Sequence, residues 1–100
     1  MRKGTTPSFV FELPLQMDQI SAAKVTFAVG DKIILEKHLQ DCAYAENTIT
    51  VKLTQEETFL FECNATIEMQ LRVLTVNEDA LSSDVFTIFA HQCLDDEVLK

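Results

Sequence analysis

Six short segments of the chain have the pattern of β-strands, and most of them alternate apolar with polar residues, as strands with one buried face do. These segments are residues 8–13, 23–29, 32–39, 48–53, 66–75 and 84–90. The segment 84–90 is apolar on both faces, which predicts a central position or a cover over its second face. Single-faced strands must bury their apolar faces against one another. The sequence therefore predicts an all-β fold, an immunoglobulin-like two-sheet β-sandwich of six to seven strands, with a small barrel as the alternative.

The apolar positions of these strands predict the hydrophobic core, because residues i and i+2 share one face of a strand. The predicted core consists of Phe9, Phe11, Val25, Phe27, Ile49, Val51, Leu53, Ile67, Met69, Leu71 and Val73. Polar residues such as Glu68, Gln70 and Arg72 alternate with them in the longest strand, which supports this assignment of faces.

The turn at residues 30–31 leaves the register of the second and third strands open. A two-residue turn would pair Val29 with Lys32, and turn chemistry favours it. A three-residue loop would pair Phe27 with Leu35, which matches apolar with apolar side chains. A slip of one residue exchanges the two faces of a strand, so the two registers are expected to exclude each other.

The strand period ends at Thr54. Thr54 and Glu57 have the spacing of a capping box, in which the hydroxyl accepts from the Glu57 amide and the carboxylate accepts from the Thr54 amide. The pattern predicts one short helical crossover over residues 55–61. The alternative is a strand over 59–63 whose odd-numbered residues share one face.

The 100 residues are expected to form a single domain, 1–100, with the core at about 8–90 and an acidic tail at 91–100. The net charge of −8 excludes nucleic acids and anionic membranes as partners, since both require a cationic surface. Residues 1–50 carry five basic and six acidic groups, and residues 51–100 carry three and ten. The acidic half either confers solubility or docks on a basic neighbour.

The three cysteines, Cys42, Cys63 and Cys93, are widely spaced. Residues 1–15 do not have the pattern of a signal peptide, and no apolar run approaches 18 residues. Reduced thiols in a cytosolic compartment are therefore expected, with a Cys42–Cys63 disulfide as the alternative.

Three groups of residues contain the chemistry of an active or metal site. His91 and Cys93 with Asp95 and Asp96 are the residue types of a cysteine nucleophile site, and Cys42, Cys63, Cys93 and His91 could supply zinc ligands. The acidic pairs are Glu56–Glu57, Glu78–Asp79 and Asp95–Asp96. The nucleophile group lacks the family signatures of cysteine hydrolases, and the zinc group lacks the short spacings between cysteines that mark zinc sites. The acidic pairs lie in predicted caps, turns or tails. We therefore predict no catalytic, cofactor-binding or metal-binding residues.

Several stretches of the chain resemble small structural-module proteins, about 100 residues long, of tailed phages and prophages of Gram-positive bacteria. More distantly, they are similar to the Ig-like N-terminal domain of phage baseplate upper proteins. The stretches are RKGTTP (2–7), LP (13–14), TFA (26–28), ILEK (34–37), NTITVKLTQEET (47–58), MQLRV (69–73) and ALSSD (80–84).

This resemblance implies a non-enzymatic phage or prophage structural or assembly protein, an interaction module associated with the tail or baseplate. The implied partners are other phage structural proteins or further copies of the chain, with no small-molecule substrate and no cofactor. The expected location is the bacterial cytoplasm during expression, and then the virion. Sheet edges, the acidic half and the segments before Ser8 and after Ala90 are the expected contact regions. The alternative function is a free-standing binding module for a carbohydrate or a host-surface ligand.

Overall fold

The computed structural model describes residues 1–94 and 97–99, so Asp95 and Asp96 of the predicted tail lie outside the described residues. The strands are β1 (Ser8–Glu12), β2 (Ile20–Val29), β3 (Lys32–His38), β4 (Ala43–Ala45), β5 (Thr48–Lys52), β6 (Thr66–Thr75), β7 (Ala80–Ser82) and β8 (Phe86–Phe89). One short helix, α1 (Gln55–Thr58), lies between β5 and β6, and single 3-10 turns occupy Met17–Gln19 and Leu39–Asp41. Within the described ranges, no helix is long and apolar enough to cross a membrane.

The strands form two antiparallel sheets, which confirms the predicted two-sheet sandwich. The smaller sheet has the order β1-β5-β4. The larger has the order β3-β2-β6, and both β7 and β8 pair with the remaining side of β6. This pairing order is that of strands B, E and D and strands C′, C, F and G of the immunoglobulin arrangement, with β7 and β8 together in the place of G. The sequence pattern missed β4 and β7 because three residues are too few to show a period.

The core lies between the two sheets, and it contains every predicted core residue except Phe9, which is partly buried. The Phe9 ring packs against the fully buried Phe27 ring, with 6.0 Å between their centroids. The structure adds four buried apolar residues that the strand pattern did not identify. They are Ile20, Ala23, Phe61 and Ala90.

A β-bulge resolves the register of the β2–β3 hairpin. Val29 pairs with Lys32, as a two-residue turn requires, yet Phe27 pairs with Leu35, as the longer loop would require. The register shifts by one residue between these pairs, so the expectation that one register excludes the other is wrong. Gly30 has φ +60°, the left-handed conformation that glycine adopts without strain at this turn position.

The capping box at α1 forms as predicted. Thr54 Oγ1 accepts a hydrogen bond from the Glu57 amide at 3.1 Å, and Glu57 Oε1 accepts one from the Thr54 amide at 2.8 Å. The helix ends at Thr58, three residues before the predicted boundary. The Thr58 hydroxyl donates to the Gln55 carbonyl at 2.7 Å, which competes with the helical backbone bonds and disfavours a further turn.

The segment before β1, which lies outside the predicted core of 8–90, is bonded to α1 and to the chain that follows β8. The Lys3 amide donates to the His91 carbonyl at 3.0 Å, the His91 amide donates to the Met1 carbonyl at 2.7 Å, and Arg2 forms a parallel bridge with His91. The Gly4 amide donates to Thr58 Oγ1 at 2.8 Å. Pairing between residues about 90 positions apart leaves no periodic signal in the sequence.

We expect Leu71→Ala to lower the free energy of unfolding by about 2–5 kcal/mol, because Leu71 is 2% exposed and its loss leaves a cavity between the sheets. Leu74→Ala is the matched control. Leu74 lies on the outer face of the same strand and is 39% exposed, so about 1 kcal/mol or less is expected. Urea unfolding measures both values. Equal losses for the two variants would contradict the assignment of faces in β6.

The Glu57 carboxylate also pairs with Lys37, with Nζ and Oε2 2.6 Å apart. Burial raises the pKa of Glu57. Hydrogen bonds from Lys37 and from the Thr54 backbone, together with the Lys37 charge, outweigh burial and hold the pKa below its usual value of 4.5. A carboxyl with a lowered folded-state pKa contributes stability above its unfolded pKa, and this contribution is lost as the pH falls through the folded value.

We therefore expect Glu57→Gln to destabilise the protein by about 1 kcal/mol at pH 7, and the difference from wild type to shrink below pH 4.5. Glu56→Gln, an exposed position in the same turn, is the control and should change little at either pH. Urea unfolding at pH 7 and pH 3 measures the difference. A Glu57→Gln deficit that is the same at both pH values would show that the ion pair is not its source.

Candidate functional site

The strand β8 lies at the edge of its sheet, so the prediction of a central or covered position for 84–90 is wrong. Its residue Phe86 pairs with Met69 of β6 and therefore projects towards the other sheet. Likewise Leu81 of β7 pairs with the buried Val73. Phe86 is nevertheless 48% exposed and Leu81 is 42% exposed. Two large side chains on the inner face are thus open to solvent along this edge.

These side chains border an apolar cleft between the two sheets, with a volume of about 760 Å³. One wall is β1 and the chain that follows it to Leu15, and the other wall is β7 and β8. Met69, Leu71 and Val73 of β6 form the floor. The Phe11 and Phe86 rings lie across the cleft from each other, with 6.2 Å between their centroids. Binding sites commonly have volumes of roughly 300–1,000 Å³ and mostly apolar walls.

The β1 wall has a free backbone edge. The Leu13 amide donates to the Asn47 carbonyl at 2.7 Å, and the Leu53 amide donates to the Pro7 carbonyl at 3.0 Å. In an antiparallel pair the backbone groups of alternate residues point towards the partner, so the odd-numbered residues of β1 bond to β5. The even-numbered residues direct their amides and carbonyls away from β5. They are Ser8, Val10 and Glu12.

The opposite wall also has a free edge, which is interrupted between β7 and β8. The Ser83 amide donates to the Leu71 carbonyl at 2.8 Å, and the Ala90 amide donates to the Ala65 carbonyl at 2.9 Å. The two strands pair with β6 in registers one residue apart, so residues 83–85 form the break between them. By the same alternation, four residues of these strands direct their backbone groups away from β6. They are Ala80, Ser82, Thr87 and Phe89. The Phe89 carbonyl accepts a hydrogen bond from the Met1 amino group at 2.9 Å.

The charged residues of the two wall regions are all acidic. The walls, residues 8–15 and 80–89, contain no lysine or arginine. Their charged residues are Glu12 and Asp84. Glu12 lines the cleft itself, and Asp84 follows Ser83 of the opposite wall. The field around the cleft therefore favours positively charged groups.

Of the residues considered for a nucleophile site, the structure describes His91 and Cys93. The exposed His91 ring packs edge-on against Phe89, with 4.9 Å between centroids. Cys93 is partly buried, and Asp95 and Asp96 lie outside the described residues. Among residues 1–94 and 97–99, no group of three or more histidine, cysteine or acidic side chains could hold a metal ion.

All three cysteines are free thiols, so the alternative Cys42–Cys63 disulfide is not formed. The Cys42 thiol donates to the His38 carbonyl at 3.3 Å. Burial raises the pKa of this thiol, and the nearby Asp41 charge raises it further. A thiol with a raised pKa is protonated at neutral pH and is a poor nucleophile. The exposed Cys63 lies with its Sγ 3.7 Å from Lys3 Nζ.

Of the acidic pairs, Glu56–Glu57 belongs to the α1 cap described above. Glu78 has φ +68° in the turn between β6 and β7, where the Glu78 amide donates to the Thr75 carbonyl at 3.0 Å. These positions are the cap and turn positions that the sequence predicted. Asp95–Asp96 lies outside the described residues.

Sequence reasoning missed the cleft, although five of its apolar residues belong to the predicted core. It placed Phe9, Phe11 and the floor residues of β6 in a closed core. The run 84–90, apolar on both faces, was the available signal of an unusual surface, because such a strand at a sheet edge must expose one apolar face. A comparison of the chain with protein-family models, curated proteins and solved structures found no match.

We expect the cleft to bind an uncharged apolar fluorescent dye such as Nile red, and Leu81→Glu to reduce the bound-dye signal several-fold, because it adds a charge at the cleft wall. Leu60→Glu is the control, since Leu60 is an exposed leucine outside the cleft. Dye titration of the folded proteins measures the effect. Equal reductions in both variants would show that the dye responds to net charge and not to the cleft.

Proposed function

We propose that this protein is a non-enzymatic protein–protein interaction module of a phage or prophage tail or baseplate assembly. The observation that carries the interaction role is the apolar cleft, which two free strand edges border. The assignment to a phage assembly rests on the sequence resemblance described above. Large apolar surfaces that stay open in a folded protein commonly mark sites of association.

The shape of the site favours a protein partner. Free amide and carbonyl groups along a strand edge match the backbone of another chain, which can satisfy all of them in one row. Further exposed apolar residues adjoin the cleft, since Val10 of β1 and Phe89 of β8 project from the outer faces of the wall strands. A partner could therefore cover both the cleft and its rim.

A carbohydrate-binding role receives less support. Sugar-binding surfaces present aromatic rings to the solvent, and the exposed Phe86 and Phe89 rings of β8 have no polar group for a sugar hydroxyl. Tyr44 is an exposed ring that carries a hydroxyl, and it belongs to the smaller sheet. It lies in β4, at the edge opposite β1 and away from the cleft. The exposed apolar groups therefore favour β1, β7 and β8 as the binding surface.

The proposed function predicts that the protein is a component of purified phage particles or of a tail assembly intermediate. Particles are purified from an induced culture on two successive density gradients and quantified by mass spectrometry. We expect this chain at a fixed ratio to a known tail protein in every fraction that contains particles, while an abundant cytosolic protein serves as the contamination control. Absence of the chain from particles and from all intermediates would overturn the proposed function.

A further inference from the structure

We propose that the cleft accepts an extended segment of a partner protein, which adds a strand to the free edge of β1. The segment has apolar side chains at every second position and lysine or arginine near its ends. This inference rests on the proposed function and specifies how the interaction occurs. Four features of the structure support it: the backbone edge, the sheet topology, the apolar floor and the charges at the rim.

The backbone of β1 is ready to pair on its free side. The amides and carbonyls of Ser8, Val10 and Glu12 point away from β5 into the space along the cleft. A strand placed there would extend the smaller sheet from three strands to four. Main-chain hydrogen bonds of this kind supply affinity that does not depend on the partner's side chains.

The topology leaves a strand position open at this edge. In the immunoglobulin arrangement, strand A pairs with strand B on the side away from strand E. In this protein β1 takes the place of B and β5 the place of E, and no strand of the described residues pairs with the outer side of β1. A partner strand at that position would close the sandwich in the way that a strand of the same chain does in other immunoglobulin-like domains.

The cleft would receive every second side chain of the added strand. Side chains on one face of a strand are about 6.8 Å apart, so three of them span the length of β1. They would contact Leu81 and Phe86, which project towards the other sheet but are 42% and 48% exposed. Covering these two residues would complete the burial that their pairing with Val73 and Met69 begins.

Charge complementarity determines which partner fits. The walls carry two acidic residues, Glu12 and Asp84, and no basic ones, and the whole chain has a net charge of −8. A segment with basic ends is attracted to such a rim, whereas a second copy of this chain would bring further negative charge to it. The charges therefore favour a different, locally basic protein over self-association.

The experiment selects ten-residue peptides from a random displayed library on the immobilised full-length protein. We expect the enriched peptides to alternate apolar and polar residues and to carry lysine or arginine at one or both ends. Their affinity, measured by calorimetry with the synthetic consensus peptide, should fall as the salt concentration rises. Failure to enrich any peptide, or enrichment of acidic or non-alternating peptides, would overturn the inference.

Two variants of the protein test where the peptide binds. Val10→Pro removes an amide that faces the free edge without removing a β1–β5 hydrogen bond, and proline is tolerated on edge strands with this orientation. We expect its affinity for the consensus peptide to fall about tenfold or more. Val10→Thr keeps the amide and the β-branched shape, so its loss of affinity should be much smaller than that of Val10→Pro. Equal binding by the proline variant would overturn the inference.

The variant Leu81→Glu provides a second test, which remains available if Val10→Pro does not fold. It places a carboxylate at the opposite wall and should weaken peptide binding at least tenfold, whereas Leu60→Glu should not. Circular dichroism and thermal melting check that each variant is folded. Dimerisation of the wild-type protein that Leu81→Glu abolishes would identify a second copy as the occupant and would overturn the inference. If Leu81→Glu loses dye binding but keeps the wild-type affinity for the peptide, the inference is overturned as well.

The same variants separate this inference from the proposed function. If wild-type chain is found in phage particles and Leu81→Glu is excluded from them, both proposals are supported. If Leu81→Glu and Val10→Pro are incorporated as wild type is, the strand-addition inference fails while the proposed function stands. If wild-type chain itself is absent from particles and intermediates, the proposed function fails whatever the peptide measurements show.

Discussion

The alternation of side chains in β6 is the constraint on which the rest of the structure depends. Five of its ten residues are buried, at every second position from Ile67 to Thr75, and these side chains fill the space between the sheets. One edge of β6 bonds to β2 along almost its whole length. The other edge is shared by two short strands, β7 and β8, in registers one residue apart. The floor of the cleft and one of its walls therefore both follow from this strand.

The cleft is open because the two sides of the sandwich are closed differently. On the side of β3 and β4, the 3-10 turn Leu39–Asp41 connects the two strands directly and carries the chain from one sheet to the other. Beside β1, the neighbouring wall is the interrupted edge made by β7 and β8. The N-terminal residues cover only the end of this edge that follows β8, where Arg2 pairs with His91. Side chains such as Phe86 thus face the interior and remain exposed.

This arrangement combines an acidic surface with an apolar opening. The negative charge keeps exposed apolar edges of separate molecules apart, which is one way for proteins to prevent edge-to-edge association. A partner with complementary charge would not experience that repulsion. The same residues can therefore disfavour association between copies and favour a chosen neighbour, which is how specificity is obtained from attraction and repulsion together.

Local patterns in the sequence determined the six longer strands and most of the core. One buried face gives a strand a period of two, and this period needs no information from distant residues. The alternation from Thr66 to Thr75 predicted β6 to the residue, and Thr54 with Glu57 predicted the helix cap. The pattern did not predict the early end of α1 or the hairpin register. The Thr58 hydroxyl bonds to the Gln55 carbonyl and also accepts from the distant Gly4 amide, and a bulge in the hairpin accommodates both pairings. The sequence alone did not predict the cleft, although the apolar run 84–90 indicated an unusual surface. Whether an inward-facing residue such as Phe86 is covered depends on which strand lies opposite it, and that is decided only when distant parts of the chain meet.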